Sequence, residues 1–297
     1  MYDLIIVGGG PAGLTSAIYA CRAGLKTLVL EANACGGQII VAADIENYPA
    51  AMHISGLDFA KRLEEQAEEL GAEIEFDKVI AIEDKGETKL VRGEDNEYEA
   101  KTVIIATGTE PRKLALENEE ELIGHGVSYC ATCDGPLYKD KIVAVYGGGY
   151  SAVGEANYLS NIAKRVYIIH RRDEFRASAK MIEKLKAKDN VELILNSTIT
   201  SLNADKNLKS ITIESNGETK EIEVDALFVS IGRTPSTSAF KDIRTTEDGY
   251  IEGDQCRTNI PGVFVAGDCR VKDVRQLVTA TADGAIAVNE VQKYLQK

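Results

Sequence analysis

Residues 4–31 read LIIVGGGPAGLTSAIYACRAGLKTLVLE and carry the pattern that decides the fold. The segment begins with an apolar run of the kind found in buried parallel strands. The glycine turn Gly8–Gly13, an alanine-rich helical stretch and a second apolar run ending at Glu31 follow. A strand, a G-x-G-x-x-G turn and a helix form a β-α-β unit that binds dinucleotides. The alternative is a glycine-rich turn with a purely structural role.

The same plan recurs in the sequence IVAVYGGGYSAVGEANYLSNIAKRVYIIH, which ends at His170. The spacing from the first glycine of the turn to the end of the second strand is the same in both copies, Gly8 to Glu31 and Gly147 to His170. Ala152 replaces the third glycine, which the looser form of the pattern allows. The repeat predicts an α/β protein with two Rossmann-like dinucleotide-binding domains.

A further buried strand, at residues 262–268, follows the second unit and indicates that the chain returns to the first domain. We therefore expect the second domain to be inserted into the first. Residues 1–112 and 244–297 would form the first domain, and residues 113–243 the inserted one. The two linkers are expected near residues 110–114 and 243–247.

The two units differ at the end of their second strand. Glu31 is placed to accept hydrogen bonds from a ribose, as in a dinucleotide site without a 2′-phosphate. The second unit instead has HRR at residues 170–172 and a further arginine at 176. Guanidinium groups bind phosphate through paired donors, so this unit is predicted to select NADPH, and the first unit FAD. The alternative is a solvated basic helix start, paired with Asp173 and Glu174.

Composition excludes several classes of partner. The chain has 34 Lys and Arg against 47 Asp and Glu, a net charge of −13, which disfavours nucleic acid and anionic membrane surfaces. No apolar run approaches the roughly 18 residues of a membrane span, and no signal peptide is visible. We expect a cytoplasmic protein. Motifs of hydrolases and kinases, such as G-x-S-x-G, H-E-x-x-H and the P-loop lysine, are missing from the sequence.

The sequence Cys130-Ala-Thr-Cys133-Asp134 is a candidate redox centre. A Cys-x-x-Cys pair forms a small redox-active disulfide whose thiols often have a lowered pKa, and the adjacent carboxyl group can pass protons. A zinc half-site is the alternative, but zinc takes four ligands. The other four cysteines form no second pair and the three histidines are scattered. Those four cysteines are expected to be small buried side chains.

Together these motifs resemble the low-molecular-weight bacterial thioredoxin reductases over nearly the whole chain. The segments that carry the resemblance are Gly8–Gly13, Gly36–Gln38, Ile45–Pro49, Cys130–Gly135, Gly147–Ala152, His170–Arg176, Gly267–Asp268 and Arg275–Gln276. The resemblance implies a homodimeric flavoprotein that uses FAD and NADPH. The N- and C-terminal segments together would hold FAD, and the inserted domain would hold both NADPH and the dithiol.

The resemblance also implies a reaction and a set of residues. NADPH passes a hydride to the flavin, the flavin reduces the Cys130–Cys133 disulfide, and the dithiol reduces thioredoxin, with the inserted domain rotating between the half-reactions. Cys130, Cys133 and Asp134 are the implied catalytic residues, with Cys133 facing the flavin. The implied FAD residues are Gly8, Gly10, Pro11, Ala12, Gly13, Glu31, Ala32, Gly36, Gly37, Gln38, Asn47, Val79, Ala106, Thr107, Gly108, Gly267, Asp268, Arg275, Gln276 and Leu277. The implied NADPH residues are Gly147, Gly149, Tyr150, Ser151, Ala152, His170, Arg171, Arg172, Arg176, Ile231 and Gly232.

Some positions depart from the family pattern and keep other partners open. Tyr150 and Gly154 replace the residues usual around the second turn, and His125 and Leu137 replace residues that commonly dock thioredoxin. The alternatives are a reductase for a glutaredoxin-like or peroxidase-component protein, and a ferredoxin-linked reductase. A nucleotide-binding redox sensor without enzymatic activity is the alternative from another class.

Overall fold

The computed structural model describes residues 1–42 and 44–296. The chain divides into two compact units. Unit 1 comprises Met1–Glu110 and the residues from Thr234 onward, and unit 2 is Pro111–Arg233. The second division falls at 233/234, before the 243/244 expected from the sequence, because Phe240 and Ile243 pack into the core of unit 1.

The first segment of unit 1 contains β1 (Tyr2–Val7), α1 (Pro11–Arg22), β2 (Thr27–Glu31), α2 (Gly56–Glu69), β3 (Glu73–Phe76), β4 (Val79–Asp84), β5 (Lys89–Gly93) and β6 (Glu97–Ile105), and β7 (Thr109–Pro111) leads out of it. Unit 2 contains β8 (Val127–Ser128), α3 (Ala131–Asp134), β9 (Ile142–Tyr146), α4 (Tyr150–Leu159), β10 (Arg165–Ile169), α5 (Ala179–Lys186), β11 (Val191–Ile194), β12 (Ser197–Ala204), β13 (Leu208–Ser215), β14 (Glu218–Glu223) and β15 (Ala226–Val229). The chain returns through β16 (Arg233–Pro235) to β17 (Val263–Val265) and α6 (Leu277–Leu295). Short 3₁₀ helices cover Gly37–Val41, Gly135–Tyr138 and Gly267–Cys269.

The sheet of unit 1 has the order β3-β2-β1-β6-β5-β4, with β17 also paired to β6. Strands β3, β2, β1, β6 and β17 run parallel, whereas β4 and β5 form an antiparallel ribbon. Alternate residues of β1 face opposite sides of the sheet. Leu4 and Ile6 pack with Leu14 of α1, while Ile5 packs with Phe240. Both faces are covered, which explains the continuous apolar run in the sequence.

Unit 2 repeats the parallel core and adds a second sheet. Its main sheet has the order β11-β10-β9-β15-β8 and is parallel throughout. Val143 and Val145 of β9 pack with Ala152 and Ala156 of α4. The opposite face of β9 packs against the antiparallel sheet β12-β13-β14, where Ile211 lies in the core. Each unit is therefore a parallel sheet covered on both sides.

The topology places the glycine turns where ligands bind in such folds. The first turn follows β1 and leads into α1, and the second follows β9 and leads into α4. In open α/β sheets the crevice at the carboxyl ends of the strands holds the ligand. The two segments that cross between the units, β7 and β16, pair with each other. In the described part of the chain no helix is long and apolar enough to cross a membrane.

Candidate active site

The first glycine turn brings α1 close to the end of β1. A Cβ built at Gly13 would lie 1.9 Å from the carbonyl oxygen of Gly8, so only glycine fits there. Gly8 has a φ of +107°, and a Cβ on it would lie 2.6 Å from the carbonyl oxygen of Ala106. Gly10, by contrast, has nothing within 4 Å of such an atom. The turn is therefore packed on its inner side and open at Gly10.

The open side of this turn presents a helix N-terminus. Gly10 is the N-cap of α1, no side chain caps the helix, and Pro11 occupies the first turn. The first N–H groups of a helix have no intrahelical partners and carry a partial positive charge, which suits an anionic ligand. The turn thus fits the pyrophosphate of a dinucleotide.

Glu31 at the end of β2 is hydrogen-bonded to the same turn. Its Oε2 accepts a 2.6 Å hydrogen bond from the N–H of Gly9, and its Oε1 accepts one of 3.0 Å from Asn33. Each carboxylate oxygen has a further acceptor site, so Glu31 can also receive ribose hydroxyls. The N–H of Gly36 donates to the carbonyl oxygen of Gly9 at 2.8 Å. The pair Gly36 and Gly37, which the sequence predicts to be part of the FAD site, therefore lies against the first turn.

The C-terminal segment of unit 1 also packs against the start of α1. A Cβ on Gly267 would lie 2.8 Å from Cβ of Ala12, so this segment packs directly on α1. The Asn47 amide donates to Oε1 of Gln276, the N-cap of α6, at 3.2 Å. The buried Oδ1 of Asp268 makes no hydrogen bond and lies 3.3 Å from Lys272 Nζ, while the Asp268 side chain as a whole is 27% exposed. The exposed part of this carboxylate can accept a hydrogen bond from a hydroxyl-bearing ligand.

The other predicted FAD residues divide into two groups. Those on the carboxyl side of strands or at helix starts are Ala32 after β2, Gln38 in the 3₁₀ helix, Ala106, Thr107 and Gly108 after β6, Arg275 before α6, and Leu277 at its first position. Val79 differs, because it begins the antiparallel strand β4 and its side chain is buried in the core with Ile5. Arg275 donates to the carbonyl oxygen of Asp268 and lies 4.2 Å above the Tyr250 ring.

The second glycine turn, in unit 2, has the same division into a packed and an open side. A Cβ on Gly147 would lie 2.1 Å from the carbonyl oxygen of Ser230, whereas Gly149 has nothing within 4 Å. Gly149 is the N-cap of α4, again without a side-chain cap. Ala152 is fully buried, and Tyr150 is 64% exposed at the start of the helix. The open N-terminus of α4 fits a second pyrophosphate.

His170 packs against the second turn. A Cβ on Gly148 would lie 2.1 Å from the His170 ring, so the ring covers this glycine. The ring also stacks on Phe175 with centroids 5.5 Å apart. Burial lowers the pKa of His170, and the nearby arginines lower it further. Its buried Nε2 has no hydrogen-bond partner, which leaves a polar atom for a ligand.

The three arginines beside His170 are exposed. Within residues 1–42 and 44–296 none of the guanidinium groups of Arg171, Arg172 and Arg176 forms an ion pair, so the alternative pairing with Asp173 and Glu174 is not observed. The backbone N–H of Arg176 donates to the carbonyl oxygen of Gly148 at 2.6 Å, which ties this segment to the turn. The cluster therefore presents exposed cationic groups beside the turn, which suit an anionic ligand. Ser151 is exposed in the first turn of α4, and Ile231 and Gly232 follow β15.

Cys130 and Cys133 form a disulfide at the start of α3, with their Cα atoms 5.3 Å apart. Cys130 is the N-cap of this short helix, and both residues are half-buried. Zinc binds thiolates rather than a disulfide. Another group of potential metal ligands among the described residues, Asp44, Glu46 and His53, contains neither cysteine. The pair is thus arranged for redox chemistry.

Asp134 lies one residue beyond the disulfide, in a partly buried position. Burial raises the pKa of its carboxyl group, while a 2.6 Å hydrogen bond from the Ser128 hydroxyl lowers it. The Ser128 hydroxyl oxygen also accepts from the N–H of Cys130 at 3.1 Å. Ser128 therefore connects the acid to the redox helix. Ser128 belongs to none of the motifs identified in the sequence, and its place two residues before the first cysteine is the only signal of its role.

The dithiol helix packs at the far end of α4 from the glycine turn. Gly135, just after α3, faces Tyr158 and Leu159 at the C-terminal end of α4. A helix of 10 residues spans about 15 Å. The disulfide and the second turn are thus two separate places on one unit.

Glu155 of α4 is a second residue that sequence analysis missed. Burial raises its pKa to about 7, although Ser230 and Arg233 lower it. Of the remaining cysteines, Cys35, Cys256 and Cys269 are buried as expected, whereas Cys21 is only partly buried. Burial raises the pKa of Cys35 and Cys256 to about 12 and that of Cys269 to about 11.

Residues 2–284 match the family described as pyridine nucleotide-disulphide oxidoreductase. The chain belongs to this family. Among its relatives is a protein named thioredoxin reductase from Peptoclostridium acidaminophilum, 44% identical over 307 aligned residues that cover 100% of this chain and 98% of the relative. The crystal structure of thioredoxin reductase from Streptococcus pyogenes is 42% identical with a TM-score of 0.92, covering 100% of this chain and 98% of that one.

A more distant member is also informative. A ferredoxin-flavin thioredoxin reductase from Clostridium acetobutylicum is 32% identical with a TM-score of 0.54, covering 100% of this chain and 99% of that one. Membership of the pyridine nucleotide-disulphide oxidoreductase family implies a flavin and a pyridine nucleotide. It confirms the resemblance and the two-domain dinucleotide-binding fold predicted from the sequence.

Proposed function

We propose that the protein is an NADPH-dependent thioredoxin reductase that carries electrons from NADPH through FAD and the Cys130–Cys133 disulfide to oxidised thioredoxin. The observation that carries this proposal is the disulfide within the same unit as the arginine-flanked glycine turn. A redox pair and a pyridine-nucleotide site on one unit are the parts such a relay requires. The names of the full-length relatives support the same reaction.

FAD is assigned to unit 1 and NADPH to unit 2. Glu31 at the first turn offers a carboxylate to ribose hydroxyls, and Asp268 offers the exposed part of its carboxylate. Arg171, Arg172 and Arg176 offer unpaired guanidinium groups to a 2′-phosphate. When bound, the two nucleotides supply hydride transfer and the electron pair that opens the disulfide.

The cysteines and Asp134 perform the second half of the reaction. One thiolate of the reduced pair attacks the thioredoxin disulfide and forms a mixed disulfide, releasing one thioredoxin thiol. The second cysteine then attacks the mixed disulfide, so the pair is oxidised and thioredoxin gains two electrons and two protons. A carboxyl group with a raised pKa retains a proton closer to neutral pH, so Asp134 supplies protons to the departing sulfur.

A single flavin must react both with the nucleotide held at the second glycine turn and with the disulfide of unit 2. The glycine turn and the disulfide lie toward opposite ends of α4, so they cannot occupy the space beside a single flavin together. Rotation of unit 2 on the crossing segments β7 and β16 is the movement that would alternate them. We also assign the protein to the cytoplasm as a homodimer, following the family resemblance.

Ferredoxin as the electron source is the second candidate, since one relative bears that name. The unpaired guanidinium groups of Arg171, Arg172 and Arg176 favour NADPH, because a ferredoxin-linked enzyme has no use for a 2′-phosphate site. A glutaredoxin-like or peroxidase-component protein is the alternative acceptor.

The deciding experiment is a turnover assay of the purified flavoprotein against small redox proteins. Thioredoxin, a glutaredoxin-like protein and a peroxidase component are offered in turn, each with NADPH, NADH or reduced ferredoxin as the donor. We expect fast NADPH oxidation with thioredoxin and at least about tenfold slower turnover with NADH, as expected for the loss of one charged phosphate contact. Turnover with ferredoxin but not NADPH, or with another acceptor but not thioredoxin, would overturn the proposal.

A further inference from the structure

Four charged side chains form a partly buried cluster in the C-terminal segment of unit 1, which we call the Asp283 cluster. It consists of Asp268, Arg270, Lys272 and Asp283. Asp283, on the inner face of α6, is only 4% exposed, and the Lys272 side chain is 8% exposed. Charges this deeply buried are costly unless they are paired and hydrogen-bonded. Water therefore cannot compensate these charges, and they must be paired with one another.

Asp283 is fully engaged by neighbouring donors. Arg270 forms two hydrogen bonds to its carboxylate, of 3.0 and 3.1 Å, and Lys272 Nζ forms one of 3.0 Å. The N–H of Gly267 donates to the same carboxylate at 3.1 Å. Asp283 also raises the pKa of Arg270. The carboxylate thus holds both the backbone of the turn that precedes Asp268 and the lysine ammonium group.

Lys272 also lies close to Asp268, the residue predicted to contact the flavin nucleotide. Lys272 Nζ lies 3.3 Å from Oδ1 of Asp268, an ion-pair distance, although Oδ1 makes no hydrogen bond. Oδ1 is buried while the Asp268 side chain as a whole is 27% exposed. The inner oxygen therefore faces the ammonium group, and the exposed part of the carboxyl group lies on the open side.

We propose that Lys272, held by Asp283, is a positioning residue that orients the Asp268 carboxylate for the flavin nucleotide. The inference rests on the proposed function, in which Asp268 contacts FAD. An ammonium group fixed on one side of a carboxylate restricts its rotation and keeps the outer oxygen directed toward a ligand before binding. Such preorganisation increases affinity because less ordering remains to be done when the ligand binds.

A double-mutant cycle on the holoprotein tests this proposal. Lys272→Met, Asp268→Asn and the double variant are equilibrated by dialysis, and the dissociation constant of FAD is measured for each. We expect Lys272→Met to weaken FAD binding about tenfold in the Asp268 background, and Lys272→Arg to recover most of the loss. In the Asp268→Asn background the same lysine change should have little effect, because the carboxylate it orients is gone.

Lys293→Met is the matched control. Lys293 lies on α6, the helix that carries Asp283, and pairs with the buried Glu290 at 2.6 Å. This variant should retain FAD with unchanged affinity. Where Lys272→Met does not fold, Lys272→Gln carries the same cycle with a polar group of similar length.

Two results would overturn the inference, and they are distinguishable. An equal loss of FAD affinity from the lysine change in both backgrounds would make Lys272 a structural residue only. Unchanged FAD affinity in Asp268→Asn alone would remove Asp268 from the flavin site and with it the assignment in the proposed function. A loss confined to the Asp268 background supports the positioning role.

Discussion

Gly10 and Gly149, on the open sides of the two turns, allow the nucleotide sites to be tested separately. Gly10 and Gly149 are the N-caps of α1 and α4, and a Cβ on either would meet nothing within 4 Å. Their φ and ψ angles, −76° and −178° for Gly10 and −89° and −177° for Gly149, describe extended backbone that alanine adopts freely. Alanine therefore fits the protein at both positions, and its methyl group occupies only the space offered to a ligand.

The expected magnitudes follow from this geometry. Replacing glycine by alanine at an N-cap costs about 0.5–1 kcal/mol, and the reduced freedom of the unfolded chain returns about 0.4–1 kcal/mol. The net change in the free energy of unfolding is therefore close to zero. A methyl group placed against a pyrophosphate is an overpacking of about 1–3 kcal/mol, or about 5- to 150-fold in the dissociation constant. Gly13→Ala is the contrast, because its Cβ would lie 1.9 Å from the Gly8 oxygen and would damage the fold itself.

The assay measures the affinity of each variant for FAD and for NADP⁺ together with its thermal unfolding. Gly10→Ala should lose FAD affinity and retain NADP⁺ affinity, and Gly149→Ala should show the reverse. Both should unfold close to the wild type when no nucleotide is bound. The reasoning is refuted if either variant binds both nucleotides as tightly as the wild type, or if the two losses fall on the opposite nucleotides.

Three other changes probe the remaining parts of the site. Replacing Arg171 and Arg172 by alanine should weaken NADPH binding by about 1.5–3 kcal/mol for each lost charged contact and leave NADH unaffected, as titration with each nucleotide would show; an unchanged preference would contradict the assignment. Cys133→Ser should abolish thioredoxin reduction but leave NADPH able to bleach the flavin. Retained thioredoxin turnover in this variant would show that electrons do not pass to thioredoxin through the disulfide. Ser128→Ala removes the hydrogen bond that lowers the Asp134 pKa, so that pKa should rise and the alkaline limb of the pH profile for thioredoxin reduction should move to higher pH; a shift to lower pH would contradict this role.

The two β-α-β units could be predicted from sequence because their signals are local. A strand, a glycine turn and a helix follow one another within a short stretch, and the second copy keeps the spacing of the first. The structure shows that Gly13 is required by a contact inside the turn itself, with the carbonyl oxygen of Gly8. The dithiol was equally visible, since both cysteines lie within one helical turn of each other.

Features set by contacts distant in sequence could not be read in this way. The boundary between unit 2 and the C-terminal segment of unit 1 falls at 233/234, because Phe240 and Ile243 pack in the core of unit 1. The sequence of residues 234–243 contains no pattern that predicts this contact. The antiparallel sheet β12–β14 was not predicted, since a register shift between Ile199 and Ser201 interrupts the alternating pattern. Such irregularities remove the period that identifies a strand.

The polar residues that support the site were missed for a related reason. Asp283 lies on the buried face of α6 between Ala280 and Ala287, and a charge at such a position is itself a signal of buried partners. Its partners Arg270 and Lys272, however, come from the loop before the helix. The sequence indicates that Asp283 needs a partner, but only the fold identifies which cations supply it.

The central claim is that one flavin connects the nucleotide site to the disulfide, and an anaerobic half-reaction tests it most directly. The purified flavoprotein is reduced with NADPH until its yellow colour is lost, freed from excess nucleotide, and then mixed with oxidised thioredoxin. We predict that the colour returns as two thioredoxin thiols appear for each electron pair that leaves the protein, and that Cys133→Ser shows no return. Colour that fails to return with thioredoxin in the wild type, or that returns equally in the cysteine variant, would contradict the account.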